Sequence, residues 1–471
     1  RNRLFYNGSF QLGRNTNYLF ALAANDPLAA QRSGVAPDSI TRFLDILSDS
    51  YDFPVEGQTG RYNQLNRDYR VQGRIDWNAV QRQGMSHTVT LSGNTNVNDQ
   101  DSTRIRTLDL AQHGGDIERD GQLLRLGITS RFGTRWTNGL NFSFSENWSA
   151  QTPFIELPEG QVRVTSEFDD GTRATSNLVF GGNRSMPREA YSRNLQVAND
   201  ASLLLPVGGQ LHRLKVGGNV ELNKNIDRST DNLYGTFTFA SLEDFQANRP
   251  ERFDRALTER RARTGSLNGG LYFGDTWRVN MPLEITLGLR WDYSRLDQTP
   301  DYNPAIDAAF GRRTDITPDA SRFSPRIGFS YRLNEQGQPP KSLSGGIGLF
   351  AGRSPISIYS QAVRQTGLPN AEQRLTCIGD AVPIPDWDLY LQDPSAVPDA
   401  CADGGTGADP LSLRAPTPFA NASSARRAGL RISTAMSASR PWPSSATAAT
   451  PSSRRLRRSS RARGARRFPT G

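Results

Sequence analysis

Between Gly265 and Tyr293 the chain alternates with a period of two. One parity holds Leu267, Gly269, Leu271, Phe273 and Trp277, and the other holds Asn268, Gly270, Tyr272, Gly274 and Thr276. After a turn at 278–282, Ile285, Leu287, Leu289, Trp291 and Tyr293 alternate with Thr286, Gly288, Arg290 and Asp292. Such alternation predicts β-strands whose two faces meet different surroundings. Each run is long enough to cross a bilayer, where a tilted strand needs about 9–11 residues. Trp277 lies beside the turn, with Trp291 and Tyr293 at the far end of the same face. Membrane barrels place aromatics at these two interfaces. The stretch reads as one transmembrane hairpin.

The same pattern recurs at Arg3–Gly13, Asn66–Asn78, Ser86–Asn98, Gln122–Phe132, Trp136–Trp148, Arg193–Leu205, Leu211–Asn223, Phe323–Leu333 and Leu343–Gly352, eleven strands in all. Trp77, Trp136 and Trp148 share the apolar parity, and with Trp277, Trp291 and Tyr293 they form the expected aromatic girdle. Short connections (79–85, 133–135, 206–210, 279–282, 334–341) alternate with long ones (14–65, 99–121, 149–192, 224–264, 295–321). Outer-membrane barrels sort their loops this way, short on the periplasmic side and long outside. A soluble sandwich or propeller has no reason to do so. The expected fold class is therefore all-β, a transmembrane antiparallel β-barrel. Single bacterial chains close on an even strand number, so eleven strands imply an incomplete barrel. Within the long connections, Ile40, Phe43, Leu44 and Leu47 recur at helical spacing and predict a helix over Pro37–Leu47. Ser241 and Asp244 make a capping box for a second, short helix.

Composition changes this picture little. Mean hydropathy is −0.59 and no run approaches the roughly 20 apolar residues of a membrane helix, but a barrel strand shows lipid only every second residue. The net charge of +9 is carried by residues 416–471, which hold twelve arginines and no acid. The body before them is close to neutral, and nothing in it points to nucleic acid. The chain divides into a partial barrel (1–352), an extracellular loop region (353–415) and an Arg/Ser/Ala-rich tail (416–471) expected to add no strand. Only three lysines occur, Lys215, Lys224 and Lys341. That usage fits a GC-rich gene, and the tail reads either as such a gene out of frame or as a basic disordered segment. The first strand begins almost at once with no signal segment, so the start of the protein is expected to lie upstream. Cys377 and Cys401 sit in one exposed loop region of an oxidising compartment and are expected to form a disulfide. No histidine or third cysteine lies near them to complete a metal site.

The stretch LYFGDTWRVNMPLEITLGLRWDY (Leu271–Tyr293) resembles the barrels of TonB-dependent outer-membrane receptors, as do FSPRIGFSYRL (Phe323–Leu333), GGIGLFAGR (Gly345–Arg353) and the loop GTFTFASLEDFQANRP (Gly235–Pro250). Specifically it is similar to the Oar-like type that carries a carboxypeptidase-regulatory-like N-terminal domain. The resemblance covers residues 1–410 and none of the tail. It implies a barrel of about 22 strands around a plugged lumen, with energy supplied by the inner-membrane TonB complex through an N-terminal plug. It also implies uptake of a large, scarce nutrient such as an oligosaccharide, peptide or chelate. Neither the plug, its coupling box nor a closing strand is recognisable in this sequence, so the chain is expected to be a fragment.

Other candidate sites weigh less. His87 and His212 have strand parity near turns and His113 lies in a loop, none in a metal-binding spacing. No G-x-S-x-G or comparable nucleophile motif occurs; no catalytic residue, cofactor or metal is expected. The Asn/Asp-rich stretch Asn94–Ser102 lacks the glycine and closing glutamate of a Ca²⁺ loop and reads as a strand end. Gly345–Gly348 is followed by no phosphate-binding lysine and reads as close strand packing. The inward charges Asp68, Arg70, Arg74, Asp76, Arg213, Lys215, Arg290 and Asp292 read as a solvated lumen wall with paired charges. Ligand contacts are expected in the long loops, which carry Phe154, Phe168, Tyr234, Phe237 and Tyr302. Two other readings stay open: a plug-less porin or adhesin-like barrel, and a soluble all-β binding module.

Overall fold

The computed structural model describes residues 3–22, 27–168, 170–317, 320–334, 341–351, 356–405 and 430–439. In chain order its strands are β1 (Leu4–Ala21), β2 (Gly60–Arg82), β3 (Met85–Thr103), β4 (Gly115–Phe132), β5 (Trp136–Pro153), β6 (Glu159–Glu167), β7 (Arg173–Gly181) and β8 (Arg188–Val207). They continue as β9 (Gln210–Ser229), β10 (Thr236–Phe239), β11 (Arg252–Ala256), β12 (Ala262–Arg278), β13 (Leu283–Leu296), β14 (Ala320–Arg332), β15 (Ser342–Ala351), β16 (Arg374–Ile378) and β17 (Leu430–Ser439). Twelve of them form one open antiparallel sheet in the order β1-β2-β3-β4-β5-β8-β9-β12-β13-β14-β15-β17.

All eleven predicted strands are present in this sheet, and most run further than the apolar alternation reaches. β1 continues to Ala21 in register with Gly60 of β2, passing through Arg14–Asn17, where the sequence shows polar residues on both parities. Alternation reports a difference between the two surroundings, and it ends where both faces meet water. The backbone ladder does not. The structure also corrects the expectation that nothing after Pro416 joins the sheet. β17 pairs with β15 from Ala351↔Leu430 to Ser342↔Ser439. Leu430, Ile432 and Met436 keep period two there, a local signal hidden by the composition of the tail as a whole.

One face of the sheet is predominantly apolar and exposed. Across it Val89 registers with Ile128 and Ile128 with Leu140, Phe142 with Val197 and Val197 with Val220, and Leu287 with Ile327 and Ile327 with Ile347. Leu271 is 60% exposed, Phe273 52% and Phe323 64%. A water-facing sheet would not present so wide an apolar surface; lipid is the surrounding it fits. At the end with the long connections this parity turns ionic, with Glu146–Arg193 and Glu189–Arg228 each paired at 2.9 Å.

The long connections are not loose. β16-β11-β10-β6-β7 form a second sheet, in which β10 and β6 run parallel. Against it pack α1 (Pro27–Arg32), α2 (Pro37–Tyr51), α3 (Leu242–Gln246) and, from the chain after β15, α6 (Trp387–Gln392), which follows α4 (Pro304–Phe310) and α5 (Ile356–Arg364) in sequence. α2 starts on Pro37 and buries Ile40, Phe43, Ile46 and Leu47, one turn longer than its predicted span. Ser241 caps α3, its hydroxyl accepting from the Asp244 amide at 3.1 Å. The core between sheet and helices is aromatic: Phe237 stacks on Phe253 at 4.3 Å, and Phe180 lies 4.8 Å from Trp387 and 5.2 Å from Phe245. Gly160 makes room for it, since a Cβ there would stand 2.1 Å from the Phe180 ring.

Two further ties hold this domain. Cys377 on β16 is bonded to Cys401, with Cα atoms 5.6 Å apart. Near the start of β12, the buried Glu372 carboxylate meets Arg260 at 2.5 Å and Arg364 of α5 at 3.1 Å. Burial works against its ionised form, but the Arg260 hydrogen bond and both guanidinium charges hold its carboxyl below the usual value of 4.5. The segment 353–415, expected as loop, is thus partly helix and strand.

Three outcomes are expected. Leu287→Arg, outward and mid-strand, should cost about 2–4 kcal/mol in a membrane folding assay, whereas Gly288→Arg on the opposite face, where a Cβ meets nothing closer than 3.9 Å, should escape that penalty; equal costs would refute the lipid face. Replacing both Cys377 and Cys401 by alanine should weaken the outer domain by about 3 kcal/mol, read as faster proteolysis between them, and alkylation of the unreduced protein should leave both unmodified. Glu372→Ala should cost about 3 kcal/mol by leaving the largely buried Arg364 without its carboxylate and Arg260 with the more distant Asp231. Because the folded-state carboxyl is depressed, its contribution is in place above pH 4.5 and fades as the pH falls through the lowered value; hydrogen exchange at α5 across that range measures it.

Candidate functional site

The face opposite the apolar one is polar, and register arranges its side chains into rows. In one row Arg70 of β2 lies beside Asn96, then Gly121, Asn147, Ser192, Asn225 and Thr264, crossing from β2 to β12. The next row toward the long connections carries Asp68, Asn98, Arg119, Ser149, Ala190 and Asp227. An open cavity of about 560 Å³ lies against these two rows. Gly121 is required in the first: a Cβ would come within 2.7 Å of the Asn96 amide nitrogen and 3.1 Å of the Asn147 amide oxygen. Its absence lets the two amides approach across β4.

The amides are cross-linked. Asn98 donates to Asn66 at 2.6 Å and accepts from Arg119 at 3.1 Å. Further along, Asn194 and Asn223 each donate to Glu221 at 3.0 Å, Asn223 also to Ser266 at 3.3 Å, and Ser294 to Asn268 at 2.7 Å. Each amide offers both donors and acceptors, so the wall can meet hydroxyl or amide groups of either polarity. Its charges are mostly matched: Arg74–Asp76 at 2.7 Å, Arg70–Asp68 at 3.7 Å, Lys215–Asp200 at 3.3 Å and Arg290–Asp292 at 2.7 Å. Arg213 registers beside Thr276. The wall is polar without a strong field of either sign.

The girdle residues sit on the apolar face at both ends. Trp77 registers with Leu4 and Val89, and Trp136 with Phe132 beside a short turn. Trp277 donates to Gln210 at 2.8 Å. At the opposite end Trp148 donates to Glu189 at 3.1 Å, Trp291 donates to Ser321 at 2.8 Å, and Trp291 stacks with Tyr293 at 6.2 Å. Trp148, Trp277 and Trp291 each have an apolar body on the band and a polar tip with a partner, the habit of interfacial tryptophan.

Several placements escape the sequence pattern. Asp275 interrupts the apolar parity of β12 between Phe273 and Trp277. It lies beside Leu214 and Leu287, and His212 Nδ1 meets its carboxylate at 2.7 Å while stacking on Trp277. His87 similarly meets the Ser130 hydroxyl at 2.8 Å. His113, expected in a loop, is buried on a single 3₁₀ turn. Its Nδ1 is 2.8 Å from the Gly182 carbonyl and its Nε2 is 3.7 Å from Glu159, a junction between the two sheets. Asn94–Ser102 belongs to β3 and supplies the inward amides, so the strand-end reading was too short. Of the loop aromatics, Phe237 is core, whereas Phe154 and Tyr302 are exposed.

No similar sequence was found among curated proteins. Among solved structures, the chain is similar in fold to the outer membrane transporter YddB of Escherichia coli, at 12% identity and TM-score 0.46 over 77% of this chain and 37% of that one. It is similar also to the ferripyoverdine receptor of the Pseudomonas aeruginosa outer membrane (11%, TM-score 0.40, 75% and 42%). A third is the ferric-catecholate import receptor Fiu of E. coli K12 (10%, TM-score 0.40, 74% and 49%). The chain spans less than half the length of each. Residues 54–427 match the outer membrane beta barrel domain. Together with the lipid-facing sheet, that match places the protein in the outer membrane: the chain belongs to the outer membrane beta barrel domain family.

Proposed function

We propose that the chain is barrel sequence of a TonB-dependent receptor of the Oar-like type, which takes up a large nutrient with energy from the inner membrane. The observation that carries this reading is the folded outer domain. Connections from distant parts of the chain build a sheet with its own aromatic core and a disulfide, at the end of a lumen wall lined with amides. A passive pore gains nothing from a rigid platform at its mouth, whereas a receptor that must hold a scarce ligand does, because a preorganised site loses less entropy on binding. The polar, nearly neutral wall suits an oligosaccharide or peptide, whose hydroxyl and amide groups both donate and accept. No enzymatic role is proposed.

The test is uptake in the native host. Deleting the gene should reduce accumulation of a labelled polymeric nutrient at low concentration, and a protonophore or loss of TonB should reduce it to the same level. Uptake that persists without proton-motive force would overturn the reading in favour of a plug-less porin.

A further inference from the structure

The small sheet has a second face. Phe237, Phe239 and Phe253 point into the aromatic core, so alternation puts Thr236, Thr238, Arg252 and Asp254 on the other side. There they line an open cavity of about 620 Å³. The connection from β7 to β8 completes it with Arg184 and Ser185, the connection from β9 to β10 with Asp231 and Asn232, and β16 adds Arg374.

The cations and anions of this cavity do not cancel. Arg252 is held by Asp254, Nη2 donating to Oδ1 at 2.8 Å. Arg255 donates to the Val397 and Pro398 carbonyls. Asp231 reaches outward to Arg260 at 3.8 Å. Arg184 and Arg374 are exposed, and among the described residues neither guanidinium has a hydrogen bond or ion pair. A third cation joins them from the β3–β4 connection. Arg104 donates from Nη1 to Ser185 Oγ at 3.1 Å and from Nη2 to Gln151 Oε1 at 2.8 Å. Its backbone is left-handed, with φ of 62°, a conformation a non-glycine residue adopts at a cost. Burial, and then the neighbouring Arg188 charge, push its guanidinium below its usual pKa. Gln151 continues the inward parity of Asn147 and Ser149, so the cavity stands at the mouth of the amide-lined wall.

We propose that this cavity binds a multiply anionic ligand, whose carboxylate, phosphate or sulfate groups are taken by the free guanidinium groups of Arg184 and Arg374, with Arg104 at the rim. Guanidinium forks match such oxyanions two bonds at a time, and the uncompensated charge draws the ligand to the mouth of the lumen. Thr238 adds a hydroxyl beside the cations, while Thr236 donates to Asn232 at 2.6 Å and Asn232 to the Asp254 carbonyl at 2.6 Å, which fixes that wall of the cavity. The inference deepens the receptor reading by naming a ligand class, but binding at this site does not depend on transport.

Equilibrium binding to the full chain in detergent tests it with three probes: a short oligogalacturonate, inorganic pyrophosphate and neutral maltotetraose. One or both anions should bind and maltotetraose should not; which anion binds tells carboxylate from phosphate recognition. The double variant Arg184→Ala, Arg374→Ala should weaken anion binding about tenfold or more, and Arg184→Lys with Arg374→Lys should keep part of it. Arg42→Ala, on the helix side of the outer domain beside Glu243, should change nothing. Should the double variant fail to fold, salt titration of the unaltered protein decides: affinity must fall steeply as ionic strength rises. Binding of neither anion, equal binding of maltotetraose, or affinity indifferent to salt or to both arginines would overturn the proposal. Uptake is scored separately, so failed transport with intact binding counts against the receptor reading alone.

Discussion

A backbone inside lipid has no water to bond, so every amide and carbonyl must find a partner within the protein. This protein meets that demand with one antiparallel ladder, each strand bonded to neighbours close in sequence or across a long excursion. The other main features follow from the ladder. Its pleat sends alternate side chains to lipid and to the lumen, which fixes the apolar band outside and the amide rows inside. A slip of one residue would exchange the two faces. Long runs of unbroken register, as in β4 with β5, are the structural expression of that intolerance.

The same constraint explains why the membrane sheet was legible in the sequence. Strands with two surroundings must alternate, and Leu271–Tyr293 shows both the alternation and its aromatic ends. Where both faces meet water the constraint lapses, and so did the reading: the second half of β1 and the ends of β2, β3 and β4 carry polar residues on both parities. Asp275 was passed over because a single acid in an apolar row makes sense only once His212 is seen beside it. β17 was lost for the opposite reason, a local alternation inside a segment whose overall composition argues against any fold.

The outer domain was nearly invisible to pattern. Three of its five strands are short, five residues in β11 and β16 and four in β10, too short for periodicity to declare itself. Its parallel β10–β6 pairing joins segments separated by two membrane strands. The two local signals that did work, helical spacing in α2 and the Ser241 cap of α3, are ones that need no distant partner. The lumen rows occupy a middle position. Each asparagine was visible, but their grouping into rows is a property of register across seven strands, and no single strand contains it.

The aromatic core also has a bearing on how the protein is made. Phe43 of α2, Phe180 of β7, Phe245 of α3 and Trp387 of α6 meet in one cluster, although membrane strands separate each from the next. Closing contacts at such sequence distance is entropically costly and kinetically late. The cluster cannot be complete until the last of these segments, which follows β15 in the chain, has reached it. Burial of Trp387 is therefore a timestamp on biogenesis: a chain whose tryptophan still reports water has hairpins in the membrane but no finished outer face, and assembly is over only when that signal disappears.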